Sequence, residues 1–206
     1  MNTTVFSELD NALVRATRLT ESSYQTKRLY TLKARKDVVG LDDAIKAVTA
    51  MVNGEMDMPL VLLVSTPGLG KTHLAQAAVW MMIDNYKTAT FYKVVNLLDE
   101  LKRGYEVSGK SWDQQGTDRT YEQIMSWLQR VGLLVLDDIG VEKMTDWSGE
   151  KIDQIIDNRY SNNLPLLLTS NTMELPPRIV SRCKEGRIVI LKGTDYRGIK
   201  GVKNDK

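Results

Sequence analysis

Cysteine is nearly missing from this sequence: Cys183 is the only one in 206 residues, so no disulfide forms within the chain. Histidine is as scarce, and His73 with a single cysteine leaves too little material for a zinc site. Long apolar runs are absent. Stretches such as Leu60–Val64 and Leu133–Leu136 are far too short to cross a bilayer. The opening residues, MNTTVFSELD, lack the basic-then-apolar layout of a secretory signal, so the expectation is a cytoplasmic protein with no membrane partner. Strong charge of one sign is also lacking, with 28 Lys and Arg against 26 Asp and Glu for a net charge of +2. No global basic field demands nucleic acid.

What is present suits one α/β domain with a short appendage, since 42% hydrophobic residues are enough to build a core. Charge is spread unevenly. Residues 1–36 carry seven Lys or Arg against Glu8, Asp10 and Glu21, a balance of +4, and the tail from Lys192 carries five against Asp195 and Asp205, a balance of +3. Such clusters suit phosphate contacts, and they suit solvated chain ends equally.

Phe6, Leu9, Leu13 and Ala16 fall at helical spacing and predict a short helix with a narrow apolar stripe. Residues 20–36 are polar and basic and predict a linker, which sets a boundary between an extension (1–36) and the main domain (37–206). A helix follows from Leu41 to about Val52. The chain then alternates: strands at Pro59–Ser65, Thr90–Val95, Leu133–Asp138, Leu166–Ser170 and Arg187–Leu191, with helices at Lys71 to about Asn85, Leu97–Arg103, Tyr121–Arg130 and Glu150–Ser161. Gly104–Asp118 is expected to be a long loop. Alternation of this kind predicts a five-stranded parallel sheet flanked by helices.

Ser65-Thr66-Pro67-Gly68-Leu69-Gly70-Lys71-Thr72 lies between a predicted strand and a predicted helix, the context a P-loop requires. Glycines let backbone N–H groups turn inward onto phosphate oxygens, the lysine reaches the β- and γ-phosphates, and the Thr72 hydroxyl ligates Mg²⁺. ATP and Mg²⁺ are therefore the expected ligands, held by residues 65–72 with His73 beside them. The pattern normally begins with glycine, and Ser65 stands in that place; a residue with negative φ is tolerated there. Leu133–Asp138 ends on two carboxylates. Asp137 is placed to orient Mg²⁺, and Asp138 to position an attacking water. Leu166–Asn171 is a further apolar strand ending in polar residues, and strand carboxyl ends are where open parallel sheets bind ligands. Asn171 either holds the water from the side opposite Asp138 or simply starts a turn.

Taken together, GLGKTHLAQA (68–77), LLVLDDIG (133–140), KIDQIIDNRY (151–160), LLTSN (167–171), RIVSR (178–182) and DYRG (195–198) resemble the bacterial and phage DnaC/DnaI-type replicative helicase loaders, which are AAA+ ATPases. The resemblance runs in order over roughly 60–200, and transposition ATPases of the IstB type share most of these motifs. It implies an AAA+ P-loop domain with a minimal lid and a short N-terminal helical extension. It implies Asn171 as sensor 1, Arg182 as the arginine finger that reaches a neighbouring subunit, and Arg197 as the sensor 2 arginine over the subunit's own nucleotide. A finger used in trans implies a homo-oligomer. The implied partners are a hexameric replicative helicase, gripped by the N-terminal region, and single-stranded DNA. Asp138 in place of a longer glutamate predicts slow hydrolysis. Lys102, Arg103, Tyr105, Lys110 and Trp112 interleave basic and aromatic residues as a single-strand-tracking surface does, or else belong to an exposed loop with Trp112 in the core. A transposition ATPase and a small-molecule P-loop kinase are the competing functions; the kinase has no need of the DD, TSN and RxxxR set.

Overall fold

A computed structural model describes residues 11–32, 37–108, 119–140 and 145–195. Five parallel strands, β1 (Leu60–Val64), β2 (Ala89–Lys93), β3 (Leu133–Ile139), β4 (Leu166–Ser170) and β5 (Arg187–Ile190), form one sheet in the order β2-β3-β4-β1-β5. The expected five-stranded parallel sheet flanked by helices is the one observed. Strands β1 and β4, central in the sheet, are buried along their whole length, as expected of apolar runs covered on both faces.

Helices α1 (Asn11–Ala16), α2 (Glu21–Thr26), α3 (Leu41–Asn53) and α4 (Lys71–Asp84) contribute to one face; α5 (Val94–Ser108), α6 (Tyr121–Arg130), α7 (Asp146–Ser161) and α8 (Pro177–Glu185) contribute to the other. Alternate strand residues divide between these layers. Val61, Leu63, Val135 and Leu167 pack with Val48, Leu74 and Trp80, whereas Leu62, Leu136 and Leu168 pack with Leu97, Leu128 and Ile155. Threonine caps start α2, α6 and α7: Thr20, Thr120 and Thr145 each accept a backbone N–H of the first turn, and Gln123 completes a capping box on α6. No helix among the described residues is long and apolar enough to cross a membrane.

Three regions differ from the sequence reading. Helix α5 begins at Val94, where a strand was expected to continue, and runs to Ser108 through part of the expected loop. Val94, Leu97, Leu98, Leu101 and Val107 give it a buried stripe at helical spacing, and packing overrides the β-branched preference of Val94 and Val95. Gly104 does not break it, because a Cβ there would stand 2.8 Å from Tyr121 N; glycine lets α5 and α6 approach closely. The expected linker contains α2 and a 3₁₀ turn at Leu29–Thr31. It lies against the main domain, with Tyr24, Leu29 and Leu32 packed on the core; just before it, Phe91 N donates to Thr17 O at 3.1 Å. Helix α8 has no counterpart among the predicted elements. Phe6 and Leu9 of the predicted N-terminal stripe lie outside the described residues; Leu13 packs on the core beside the buried Val14.

Candidate functional site

The carboxyl ends of β1, β3 and β4 meet the start of α4, as they must in a parallel sheet whose crossovers carry helices. The turn between β1 and α4 is left-handed at Gly68 (φ 83°) and at Gly70 (φ 96°), the N-cap of α4, a conformation glycine adopts freely. Ser65 is buried and is not among the left-handed residues, which is the condition under which its side chain is tolerated. The turn also receives the C-terminal segment: a Cβ on Gly68 would fall 1.7 Å from Asp195 Oδ1, so only glycine leaves room for that carboxylate. Arg197 lies two residues further on, outside the described residues.

Lys71 is buried, and its Nζ donates to Ser65 O (2.8 Å), Ser65 Oγ (2.9 Å), Thr66 O (3.3 Å) and Asn171 Oδ1 (3.0 Å). Thr72 Oγ1 donates toward Asp137 Oδ1 and Oδ2 at 3.0 and 3.2 Å. The β3–β4 register shifts between Leu136 and Ile139, so the irregularity falls on the two carboxylates. Asp138 takes up the strain with φ 62°, the kind of outlier that clusters at functional sites. The bulge leaves Asp137 buried against Thr72 and brings Asp138 Oδ1 to 3.5 Å from Asn171 Nδ2.

Thr169, which the sequence reading did not single out, fixes both acids: its Oγ1 donates to Asp137 Oδ1 at 2.6 Å and accepts from Asp138 N at 2.9 Å. Burial pushes the Asp137 carboxyl above the usual range, and Asp138 adds to this; the Thr169 and Thr72 hydroxyls and Lys93 oppose it.

These groups line a cleft of about 520 Å³ made by residues 67–73, Asp137, Asp138 and Asn171, together with two cations the motifs did not include, Lys27 and Lys93. His73 lines it too, but its ring is turned to the N-terminal segment, with Nε2 3.0 Å from Arg28 O. The donor set fits a magnesium nucleotide. Among the described residues no three His, Cys, Asp or Glu gather to hold a metal. One hydroxyl beside one carboxylate is what Mg²⁺ needs when phosphate oxygens and waters complete its shell.

The remaining candidates lie elsewhere. Arg182, on α8, is ion-paired with Asp153 (3.2 Å) and Asp157 of α7 in the same chain. On α5, Arg103 is exposed, Lys102 Nζ sits 5.6 Å from the Trp147 ring centre, and Tyr105 stacks on Tyr121 with centroids 4.0 Å apart. Lys110 and Trp112 are outside the described residues.

A model of the family described as IstB-like ATP binding protein matches residues 13–175. The replicative helicase loader DnaC of Escherichia coli (strain K12) is 32% identical over 139 residues, which cover 64% of this chain and 53% of that protein. The phage-like element PBSX protein XkdC of Bacillus subtilis (strain 168) is 28% identical over 151 residues, covering 66% of this chain and 52% of that one. The chain thus spans about half the length of the curated relatives it matches. A crystal structure of the DnaC helicase loader superposes with a TM-score of 0.65 at 23% identity, covering 84% of this chain and 100% of that one. AMPPCP-bound DnaA from Aquifex aeolicus does so with a TM-score of 0.68 at 19% identity, covering 84% and 52%. At these identities the structural likeness is one of fold.

Proposed function

This chain belongs to the family of IstB-like ATP binding proteins, and from that premise we propose that it is an ATP-hydrolysing switch whose oligomer delivers a hexameric replicative helicase to single-stranded DNA. The observation that carries the ATPase part is the convergence of Lys71, Thr72, Asp137, Asp138 and Asn171 on one cleft at the sheet's carboxyl edge. The loader part is supported by the 32% identity to a replicative helicase loader over 64% of this chain.

In this reading the amides of residues 67–71 cradle the phosphates, and Lys71 exchanges Ser65 and Asn171 for β- and γ-phosphate oxygens. Thr72 supplies a hydroxyl ligand and Asp137 holds the cation's water shell. A Mg²⁺ ion held by Thr72 and Asp137 would supply charge neutralisation to the triphosphate. Asp138, steadied by Thr169 at its backbone, shares an attacking water with Asn171. An aspartate reaches less far than a glutamate, so turnover is slow and suited to timing. Arg182 of a neighbouring subunit completes the site once it leaves Asp153 and Asp157, and Arg197 closes over the subunit's own nucleotide. Lys102, Arg103 and Tyr105 of α5, with Lys110 and Trp112 beyond it, track single-stranded DNA.

The test is to mix the protein with its host's replicative helicase, with ATP or ADP, and size the product. A nucleotide-dependent complex is expected, and no complex under either condition overturns the loader reading. The matched family model also favours a second reading, a transposition ATPase acting with a transposase on duplex DNA. Filaments stimulated by duplex DNA, in the absence of helicase binding, are its signature.

A further inference from the structure

The segment before α3 runs along α4 to the mouth of the nucleotide cleft, fastened at several points. Ser23 Oγ donates to Gln76 Oε1 (2.8 Å) and accepts from Trp80 Nε1 (3.2 Å), and the Tyr24 ring stands edge-on to Trp80 with centroids 5.1 Å apart. Arg28 ion-pairs with Asp84 and lies over the Tyr24 ring at 4.6 Å. At the cleft, His73 Nε2 bonds Arg28 O at 3.0 Å with Thr31 Oγ1 3.3 Å away, and Leu32 Cδ1 is 3.5 Å from where a Cβ on Gly70 would stand.

Between these anchors sits Lys27, the C-cap of α2, a residue that lines the cleft and whose charge is felt by His73 in the same lining. The adjacent cation, Arg28, is committed to Asp84. Lys27 has no ion-pair partner among the described residues, and a cation held unpaired beside a phosphate turn is placed for an anion.

The side from which it enters is set by helix geometry. Residues two apart on a helix point about 200° apart. Lys71 reaches toward Ser65 and Asn171, so His73 and the segment it holds lie on the opposite flank of the first turn of α4. Lys71 serves the β/γ end of a triphosphate in a P-loop, which leaves the other flank to the α/β end.

Resting on the ATP reading above, we propose that Lys27 is a nucleotide-binding residue contributed by the N-terminal segment, its ammonium contacting the α- and β-phosphates. ATP and ADP then gain equally from it. The segment that carries it becomes part of the nucleotide site.

Calorimetric titration of the full chain with ATP and with ADP, in the presence of Mg²⁺, tests this. Lys27→Gln is expected to weaken both nucleotides alike by roughly tenfold, the scale of one charge-assisted contact. Lys27→Arg, which keeps the charge, is expected to retain most of the affinity, with the unfolding temperature of both variants unchanged. Lys71→Ala weakens ATP more than ADP. Wild-type affinity in Lys27→Gln overturns this inference alone. Loss for ATP only contradicts the α/β placement, and equal loss in Lys27→Arg with a lowered unfolding temperature reduces Lys27 to a structural role. A wild-type chain that binds no ATP removes the nucleotide reading itself, and this one with it.

Discussion

The nucleotide cleft and the face around Arg182 both bring carboxylates and a cation together, and they do so differently. In the cleft, Asp137 and Asp138 sit on a buried strand end, are held by the Thr169 hydroxyl, and face Thr72 and Asn171 within one chain. Around Arg182, the carboxylates of Asp153 and Asp157 lie on the same flank of α7, one turn apart, and bind the guanidinium at a half-exposed surface. Arg178 joins them from a highly exposed position. Strand ends with short side chains fix groups for chemistry, whereas exposed ion pairs are worth little and exchange easily. The role proposed for Arg182, service to a neighbouring subunit, suits the second kind of setting, because such a group must be released.

Arg182→Ala is the sharpest way to break this comparison. It is expected to leave ATP affinity unchanged and to reduce phosphate release by about 10³-fold or more, the effect of losing an arginine finger. Mixing Arg182→Ala with Lys71→Ala chains should then restore part of the activity, since each supplies what the other lacks. Undiminished hydrolysis in Arg182→Ala means that the arginine is only a surface ion-pair partner.

A smaller effect is expected inside the cleft. Ser65→Gly removes the Ser65 Oγ acceptor from Lys71 Nζ, so the ammonium transfers to phosphate more readily. Affinity for ATP is expected to rise roughly threefold, the worth of one modest hydrogen bond. A drop in affinity means instead that the hydroxyl positions the lysine.

The smallest effect concerns the edge of the cleft. Burial, with help from Lys27, lowers the His73 pKa below its ordinary 6.5, against the pull of the Arg28 carbonyl. The unfolded chain therefore takes up a proton first, and the stability contributed by the neutral ring is intact above 6.5 and declines as pH falls through that value. Between pH 7.5 and 5.5, His73→Gln is expected to lose about 1–2 °C less in unfolding temperature than the wild type. Parallel losses in the two proteins remove His73 as the cause.

The cleft was legible because its motif is local. Residues 65–72 carry their own turn chemistry, and parallel topology dictates that Asp137, Asp138 and Asn171 arrive at the same edge. Thr169 was hidden in plain view: it sits in LLTSN, yet its two bonds depend on the bulge at Asp138, which no spacing announces. Lys27 carries no local signal because ESSYQT before it is polar and short; the order of that segment comes from Ser23 and Tyr24 meeting Trp80 and Gln76, some fifty residues on. Helix α8 was masked by Pro176 and Pro177, which signal a turn but also suit a helix start. Arg159 shows the same limit. It reads as an ordinary charge on α7, but it is fully buried and donates to the carbonyls of Leu128, Val131, Gly132 and Pro165, tying the end of α6 to the starts of β3 and β4.

The most direct test of the account is an experimental structure with Mg²⁺ and a non-hydrolysable ATP analogue at saturating concentration. It should place the phosphates within residues 67–71, with the cation between the Thr72 hydroxyl and Asp137. A turn left vacant, or carboxylates at 137 and 138 directed away from it, would contradict the account.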